Sequence, residues 1–394
     1  MATRIAWILG AGFSRSLGGP LLDDLLTEGM RMRIAATYGD SNKIRDPGEE
    51  HSRLDEMNAT EARAKEVVRT LYLNHGPRPA IPTGSQLWQD AEAFIDYIDA
   101  ATHPQGQRAD RAHLRALLSE FVSQGELPDK GLRTLHDAAR RLVAEACCEF
   151  MSRANLVEER WQPYKRWAGL LVPEDCVVTF NYDRVLERLA VLDVFLPSTP
   201  PSGKRAVLYK LHGSVDWKRR RQNDGSYAYE IGIDPYDGKT HDPEFALHCI
   251  ADDIGIATPG PSKRVATGHL KAVWDQALSR LQEAHRIVFL GYRFPPTDAE
   301  ARERLLEAVT TNTIRGLSVH VVLGPLLSAP DVARLSGLLD FALRRGGRMQ
   351  VDEYETARKT IGAKITTNRT FDVRVHPLFA QDFLSVFSPD KLAP

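Results

Sequence analysis

The chain has 394 residues, with 51 Lys+Arg against 52 Asp+Glu, a formal charge of −1 and 43% hydrophobic residues. That is the profile of a soluble globular protein with enough chain for two or three folding units of roughly 150 residues. A charge so near zero excludes a polyanion coat and any long-range attraction to anionic membranes, and no direct nucleic-acid binding is inferred.

The longest apolar runs, such as Ile5–Leu9, Ile287–Leu290 and Val319–Leu323, fall far below the roughly 18 residues of a membrane span. The N-terminal run passes straight into Gly10-Ala11-Gly12 with no signal-peptide core or cleavage site, so the expected location is cytoplasmic. Cys147, Cys148, Cys176 and Cys249 make no CxxC spacing. Buried free thiols are expected in place of disulfides or a zinc tetrathiolate.

In chain order, Arg4–Leu9 reads as a short strand that ends in Gly10-Ala11-Gly12-Phe13-Ser14, and Pro20 opens a helix with Leu21, Leu22, Leu25 and Leu26 on one face. From about 40 to 84 the sequence is polar, with turn signals at Gly39-Asp40-Ser41-Asn42 and Gly76-Pro77-Arg78-Pro79. A helical period then runs from about 85 to 171, through Trp88, Phe94 and Ile98, then Leu114, Leu118 and Phe121, then Leu142, Ala146 and Phe150. Strand patterns return at Cys176–Phe180, Val207–Leu211, Ile287–Leu290 and Leu317–Leu323, between helices expected at about 183–192, 263–284 and 299–310. Thr297 and Glu300 form a capping box for the last of these. Tyr227–Ile233 reads as one arm of a hairpin, and the tail past about 327 mixes two helical patterns with a strand at Phe371–His376.

Alternating strands and helices predict an α/β fold: a Rossmann-like, mostly parallel sheet with helices on both faces, interrupted after its first unit by a large helical insert. The expected organisation is a nucleotide-binding and catalytic domain over 1–34 and 174–326, a mostly helical insert over 35–173 and a C-terminal helix and strand extension over 327–394.

Four strand ends carry glycine or polar signatures: Gly10-Ala11-Gly12-Phe13-Ser14, Thr179-Phe180-Asn181-Tyr182-Asp183, Leu211-His212-Gly213-Ser214 and Gly291-Tyr292. In a parallel sheet these carboxyl ends share one edge, where open α/β sheets bind ligands. A glycine turn between strand and helix lets backbone N–H groups approach a diphosphate. The turn here lacks the third glycine of the common dinucleotide fingerprint, and a tight packing turn accounts for it equally well. Asn181 and Asp183 precede a helix and serve equally as caps. His212 fits a hydrogen-bonded turn histidine as well as a general base. His241 and His248, near Asp237, Asp242, Asp252 and Asp253, lack compact metal-ligand spacing and read as a solvated polar segment. The basic run Lys218-Arg219-Arg220-Arg221 reads as a solvated turn.

The four motifs in this order, completed by Phe289-Leu290-Gly291-Tyr292 with Pro295, Pro296, Thr297 and Asp298, resemble the sirtuins, and more closely the sirtuin-like NAD hydrolases of bacterial antiphage defence systems. The resemblance covers 1–34 and about 174–326. It implies that Gly10, Ala11, Gly12, Phe13 and Ser14 hold the NAD diphosphate. Asn181 and Asp183, after Thr179, would lie around the nicotinamide ribose and the attacking water. His212, with Gly213 and Ser214, would be the catalytic histidine, and Gly291 and Tyr292 would contact the cofactor. Two departures from protein-deacylating sirtuins, the missing CxxC pairs and Gly18-Gly19-Pro20-Leu21 after the glycine loop, match the defence-type relatives.

The expectation is therefore an NAD glycohydrolase that uses NAD as substrate and no metal, releases nicotinamide and ADP-ribose, and acts as the effector of an abortive-infection system. The resemblance further implies a homo-oligomer gated by a sensor partner, in the first instance a HerA-like hexameric ATPase. The alternative of another class is an NAD or ADP-ribose sensor without turnover. A deacylase is disfavoured by the missing cysteines.

Overall fold

A computed structural model of the chain describes residues 3–21, 140–223 (apart from 141, 142 and 145), 227–249 (apart from 235 and 236), 253–257, 270–293, 299–322 (apart from 315), 324, 348–354, 360–366 and 372–392. Several expected features lie outside these residues: most of the helical insert, the Leu22–Leu26 face, the Thr297 cap and the Pro295–Asp298 part of the fourth motif.

In chain order the elements are β1 (Ile5–Leu9), α1 (Ala11–Ser14), a 3-10 turn (Arg15–Leu17), a second one (Glu158–Trp161), α2 (Gln162–Ala168), β2 (Cys176–Thr179), α3 (Val185–Arg188), β3 (Leu192–Val194), β4 (Ala206–Lys210), β5 (Gly213–Arg221), β6 (Tyr227–Ile231), α4 (Phe245–His248), β7 (Ile254–Ile256), α5 (Lys271–Gln282), β8 (Arg286–Leu290), α6 (Ala299–Thr311), β9 (Ser318–Val322), β10 (Arg348–Tyr354), β11 (Thr360–Thr366), β12 (Asp372–His376) and α7 (Ala380–Val386). None of the described helices is long and apolar enough to cross a membrane.

The nine-stranded sheet has the order β10-β11-β12-β9-β8-β1-β2-β4-β3. Every pair from β12 to β3 is parallel, whereas β10 and β11 pair antiparallel at one edge. Numbered along the chain, the six strands β4-β2-β1-β8-β9-β12 have the order 3-2-1-4-5-6 of the doubly wound dinucleotide-binding fold, with β3 added outside β4. The C-terminal segment thus continues the main sheet: β12 pairs with β9 over Asp372–His376.

Alternation along β1 explains why its run is continuously apolar. Ala6 and Ile8 face one core, with Trp274, Ala277 and Leu281 of α5 and Leu305 and Val309 of α6. Ile5, Trp7 and Leu9 face the other, with Tyr164 and Trp167 of α2 and Phe383 and Leu384 of α7. Both faces are buried, as an all-parallel sheet requires. A separate antiparallel sheet, β6-β5-β7, leaves the main sheet directly after the third motif.

Three expectations change in detail. The helix expected at 183–192 is the single turn of α3, because Ala190 takes φ +55° and Leu192 begins β3. The basic run Lys218–Arg221, expected as a solvated turn, is the end of the nine-residue strand β5, whose first half is buried and whose last two arginines are exposed. The tail contains the β10–β11 hairpin, which was not expected from its sequence.

Candidate active site

The turn after β1 is built by backbone packing against the turn after β8. A Cβ on Gly10 would stand 2.7 Å from the Gly291 carbonyl oxygen and 2.8 Å from Tyr292 Cα, and one on Gly12 would stand 2.8 Å from Gly291 Cα. Gly291 itself has φ +67°. The amides of Gly10 and Gly12 donate to the carbonyls of Leu290 (3.2 Å) and Gly291 (3.1 Å), and that of Phe13 donates to Gly10 (2.9 Å). These glycines therefore join the β1 and β8 turns, and three N–H groups expected to face a diphosphate, those of Gly10, Gly12 and Phe13, are bonded to protein. Phe13 is also turned inward: its ring meets Tyr164 (5.0 Å) and Trp167 (5.6 Å) edge-on in the core.

The second motif closes over this turn. Thr179 Oγ1 donates to the Leu9 carbonyl (3.3 Å) and accepts the Asn181 amide (3.1 Å). Asn181 Nδ2 donates to the Gly10 carbonyl (3.2 Å) and to Ser14 Oγ (3.1 Å), and Ser14 Oγ donates to Asp183 Oδ2 (2.7 Å). Asp183 Oδ1 accepts the amide of Val185, the first residue of α3 (3.0 Å), while the N-cap itself is Arg184. Both Asp183 oxygens are thus engaged, neither by His212. With both hydrogens of Nδ2 committed, Asn181 Oδ1 remains an acceptor with no bond among the described residues.

His212 lies at the end of β4 and is buried. Its ring meets Phe180 edge-on at 5.0 Å and stacks beside Tyr182 at 6.0 Å, while Phe180 stacks on Tyr292 at 4.7 Å. An aromatic row therefore runs from the fourth motif through the second to the third. Gly213 has φ +77°, and a Cβ there would lie 2.0 Å from the Gly255 carbonyl oxygen, so only glycine permits the reversal from β4 into β5. Ser214 is fully buried beyond it and accepts a hydrogen bond from Lys210 Nζ at 2.7 Å.

The four motifs thus meet at the carboxyl ends of β1, β2, β4 and β8, around the topological switch point at β1. Sequence reasoning missed the charged layer beneath them. Lys210 is completely buried and donates to the Asp183 carbonyl (2.5 Å) and Glu187 Oε1 (2.8 Å) as well as to Ser214. Asp216 accepts from Arg184 Nε and bonds His241 Nε2, both at 2.9 Å. A lysine inside the apolar run Val207–Leu211 was the available signal, because lysine is almost never fully buried unless it is paired.

Burial raises the carboxyl pKa of Asp183 and of Glu187 against the opposing charge of Lys210. Burial acts on Asp216 in the same direction, but the His241 hydrogen bond and the charges of Lys210 and Arg184 hold it down at about 2.

The remaining polar candidates have local partners. Asp237 accepts the amides of Lys239 and Thr240 in a turn, Asp242 accepts the amide of Glu244, and Asp253 pairs with Lys218 at 3.6 Å. The His248 side chain and Asp252 lie outside the described residues. Among those described, no group of three or more His, Cys, Asp or Glu side chains is gathered to hold a metal ion. In the basic run, Arg220 pairs with Glu230 (3.1 Å) and Arg219 lies 4.5 Å over the Tyr227 ring.

No protein-family model matches the chain, and no curated protein matches it.

Proposed function

We propose that the chain hydrolyses NAD to nicotinamide and ADP-ribose. The observation that carries this reading is the anchoring of Asn181: its amide donors are spent on Gly10 and Ser14 at the sheet's switch point, and its carbonyl oxygen is left to accept. That acceptor suits the orientation of one water beside a dinucleotide laid across the crevice. The resemblance of the four motifs to sirtuin-like hydrolases supplies the choice of NAD.

In this reaction water attacks C1′ of the nicotinamide ribose and the bond from C1′ to the pyridinium nitrogen breaks, its electron pair neutralising the ring. Nicotinamide thus leaves without an acid, through an oxocarbenium-like transition state. The proton lost by the water passes to a base, and His212 is the residue of suitable chemistry in the third motif. Asp183 acts indirectly: with its oxygens on Ser14 and the α3 amide, it holds Ser14 in place for Asn181.

The wider proposal is an effector of a bacterial antiphage system, homo-oligomeric and gated by a partner such as a HerA-like ATPase, since unregulated NAD loss would kill the host. It rests on the resemblance alone.

The test is chromatographic detection of nicotinamide and ADP-ribose from NAD, with the chain alone and with the product of its neighbouring gene. Equimolar release of both products is expected, falling by about 10²–10⁴-fold in His212→Ala, the usual worth of a general base, and falling in Asn181→Ala. NAD binding by folded protein with no nicotinamide under either condition would reject hydrolysis and favour a sensor.

A further inference from the structure

We propose that Lys210 is the positioning residue of this site, a buried ammonium that clamps the turn carrying Asn181 to the turn carrying His212. The proposal rests on the reading of these two residues as the reactive pair.

Its geometry is specific. Lys210 lies two residues before His212 in the chain; it donates to the carbonyl of Asp183, two residues after Asn181, and to Ser214 Oγ, two residues after His212. The third acceptor is Glu187 Oε1 on α3. An ammonium has three protons, and here three acceptors meet it at 2.5–2.8 Å, two from the second-motif turn and α3 and one from the third motif. The main chain ties the same segments on either side, through Leu211 N–H to Thr179 O (2.9 Å) and Val215 N–H to Tyr182 O (3.1 Å). Between these two bonds the chain reverses at Gly213, and Lys210 spans the reversal.

Stability alone does not call for a lysine here. Val207, Leu208, Tyr209 and Leu211 around it are buried, and replacing a buried ion pair with well-packed apolar side chains is often neutral or stabilising. Glu187 Oε2 is buried and has no bond among the described residues, so Lys210 is what holds that carboxylate. The pair is an arrangement that fixes direction, and its direction is set on the residues flanking Asn181 and His212.

The experiment compares the full-length protein with the double variant Lys210→Met/Glu187→Met, which removes both charges at similar side-chain volume. Ser214→Ala serves as a second variant, removing one acceptor and leaving the charges in place. Each is followed by thermal melting, by steady-state NAD turnover in the condition where the wild type is active, and by NMR of the Asn181 side-chain amide and the His212 ring. In the folded double variant kcat falls at least tenfold while KM changes less than twofold, and the Asn181 and His212 signals, single in the wild type, split or broaden; Ser214→Ala gives the same pattern at smaller amplitude. Wild-type kcat together with single, unbroadened signals in a folded variant would overturn the proposal. A double variant that fails to fold leaves the decision to Ser214→Ala. A wild type that releases no nicotinamide rejects the hydrolase reading, and the NMR signals then decide the role of Lys210 independently.

Discussion

At Gly291 a positive φ and a close approach coincide: a Cβ there would lie 2.4 Å from the Phe13 amide nitrogen and 2.5 Å from the Gly12 carbonyl carbon. Backbone strain of this type costs about 1–3 kcal/mol, and the contact leaves no room for relief. Gly291→Ala is accordingly expected to lower the melting temperature by several degrees and to displace the β1 turn; an unchanged melting curve would refute the packing role. Ser14 offers a complementary case. Its hydroxyl links Asn181 to Asp183, so Ser14→Ala leaves a buried Asp183 oxygen unbonded, at a cost of about 1–3 kcal/mol. Turnover should fall with it, measured on the fraction that denaturant titration shows to be folded. The glycines of the first motif were recognisable in the sequence, but their partner was not, because a backbone-to-backbone contact between Gly12 and Gly291 leaves no side-chain pattern.

Among the elements, β9 and β12 carry a histidine pair, His320 fully buried and His376 half-buried. His320 Nδ1 lies 2.9 Å from His376 Nε2, His320 Nε2 bonds Ser318 Oγ (3.2 Å), and Phe383 of α7 packs on His376 at 5.1 Å. Burial, with the neighbouring His376, Arg374 and Arg286, pushes His320 down to about 2, and burial with Arg374 pushes His376 down to about 4. Unfolded histidines titrate near 6.5, so between those values the unfolded chain binds protons that the folded one refuses. This contribution to stability is complete above about pH 6.5 and is lost as pH falls, by about 1.4 kcal/mol per unit for each imidazole. Urea titrations from pH 7.5 to 4.5 should show this loss, and a His320→Leu/His376→Leu variant should flatten it; equal slopes in both proteins would contradict the assignment. The same scale explains which strands were legible. β1, β2, β4, β8 and β9 are short, mainly apolar runs because parallel strands are covered on both faces, and β12 shows itself by alternation, with buried Val373 and Val375 alternating with Arg374 and His376. β3 has three residues, β5 ends in exposed arginines, and β10 and β11 pair with each other at the sheet edge; none of these offers such a run.

For the whole molecule, the C-terminal segment is part of the main fold. β12 pairs along β9, Phe387 meets Trp7 edge-on at 4.9 Å, and Arg166 of α2 donates to the carbonyls of Leu384 (3.0 Å) and Phe387 (2.6 Å). Deletion of residues 372–394 uncovers the sheet face containing Trp7 and should yield aggregated or non-cooperatively unfolding protein; a soluble product with a sharp thermal transition would argue that the segment is dispensable. The site was legible to the extent that it consists of strand ends, since topology brings those to one edge whatever lies between them. Its support was less so: Lys210 stands out inside an apolar run, but Glu187, Arg184 and Asp216 are ordinary charged residues until the fold joins them. The central claim, that water attacks C1′ at this edge, is tested most directly by turnover in ¹⁸O-labelled water with mass analysis of the ADP-ribose, sampled early enough to precede exchange of the free anomeric hydroxyl. The account predicts one ¹⁸O at C1′ and unlabelled nicotinamide, with both products reduced together in Asn181→Ala. Absence of product, or ADP-ribose released without the label, would contradict it.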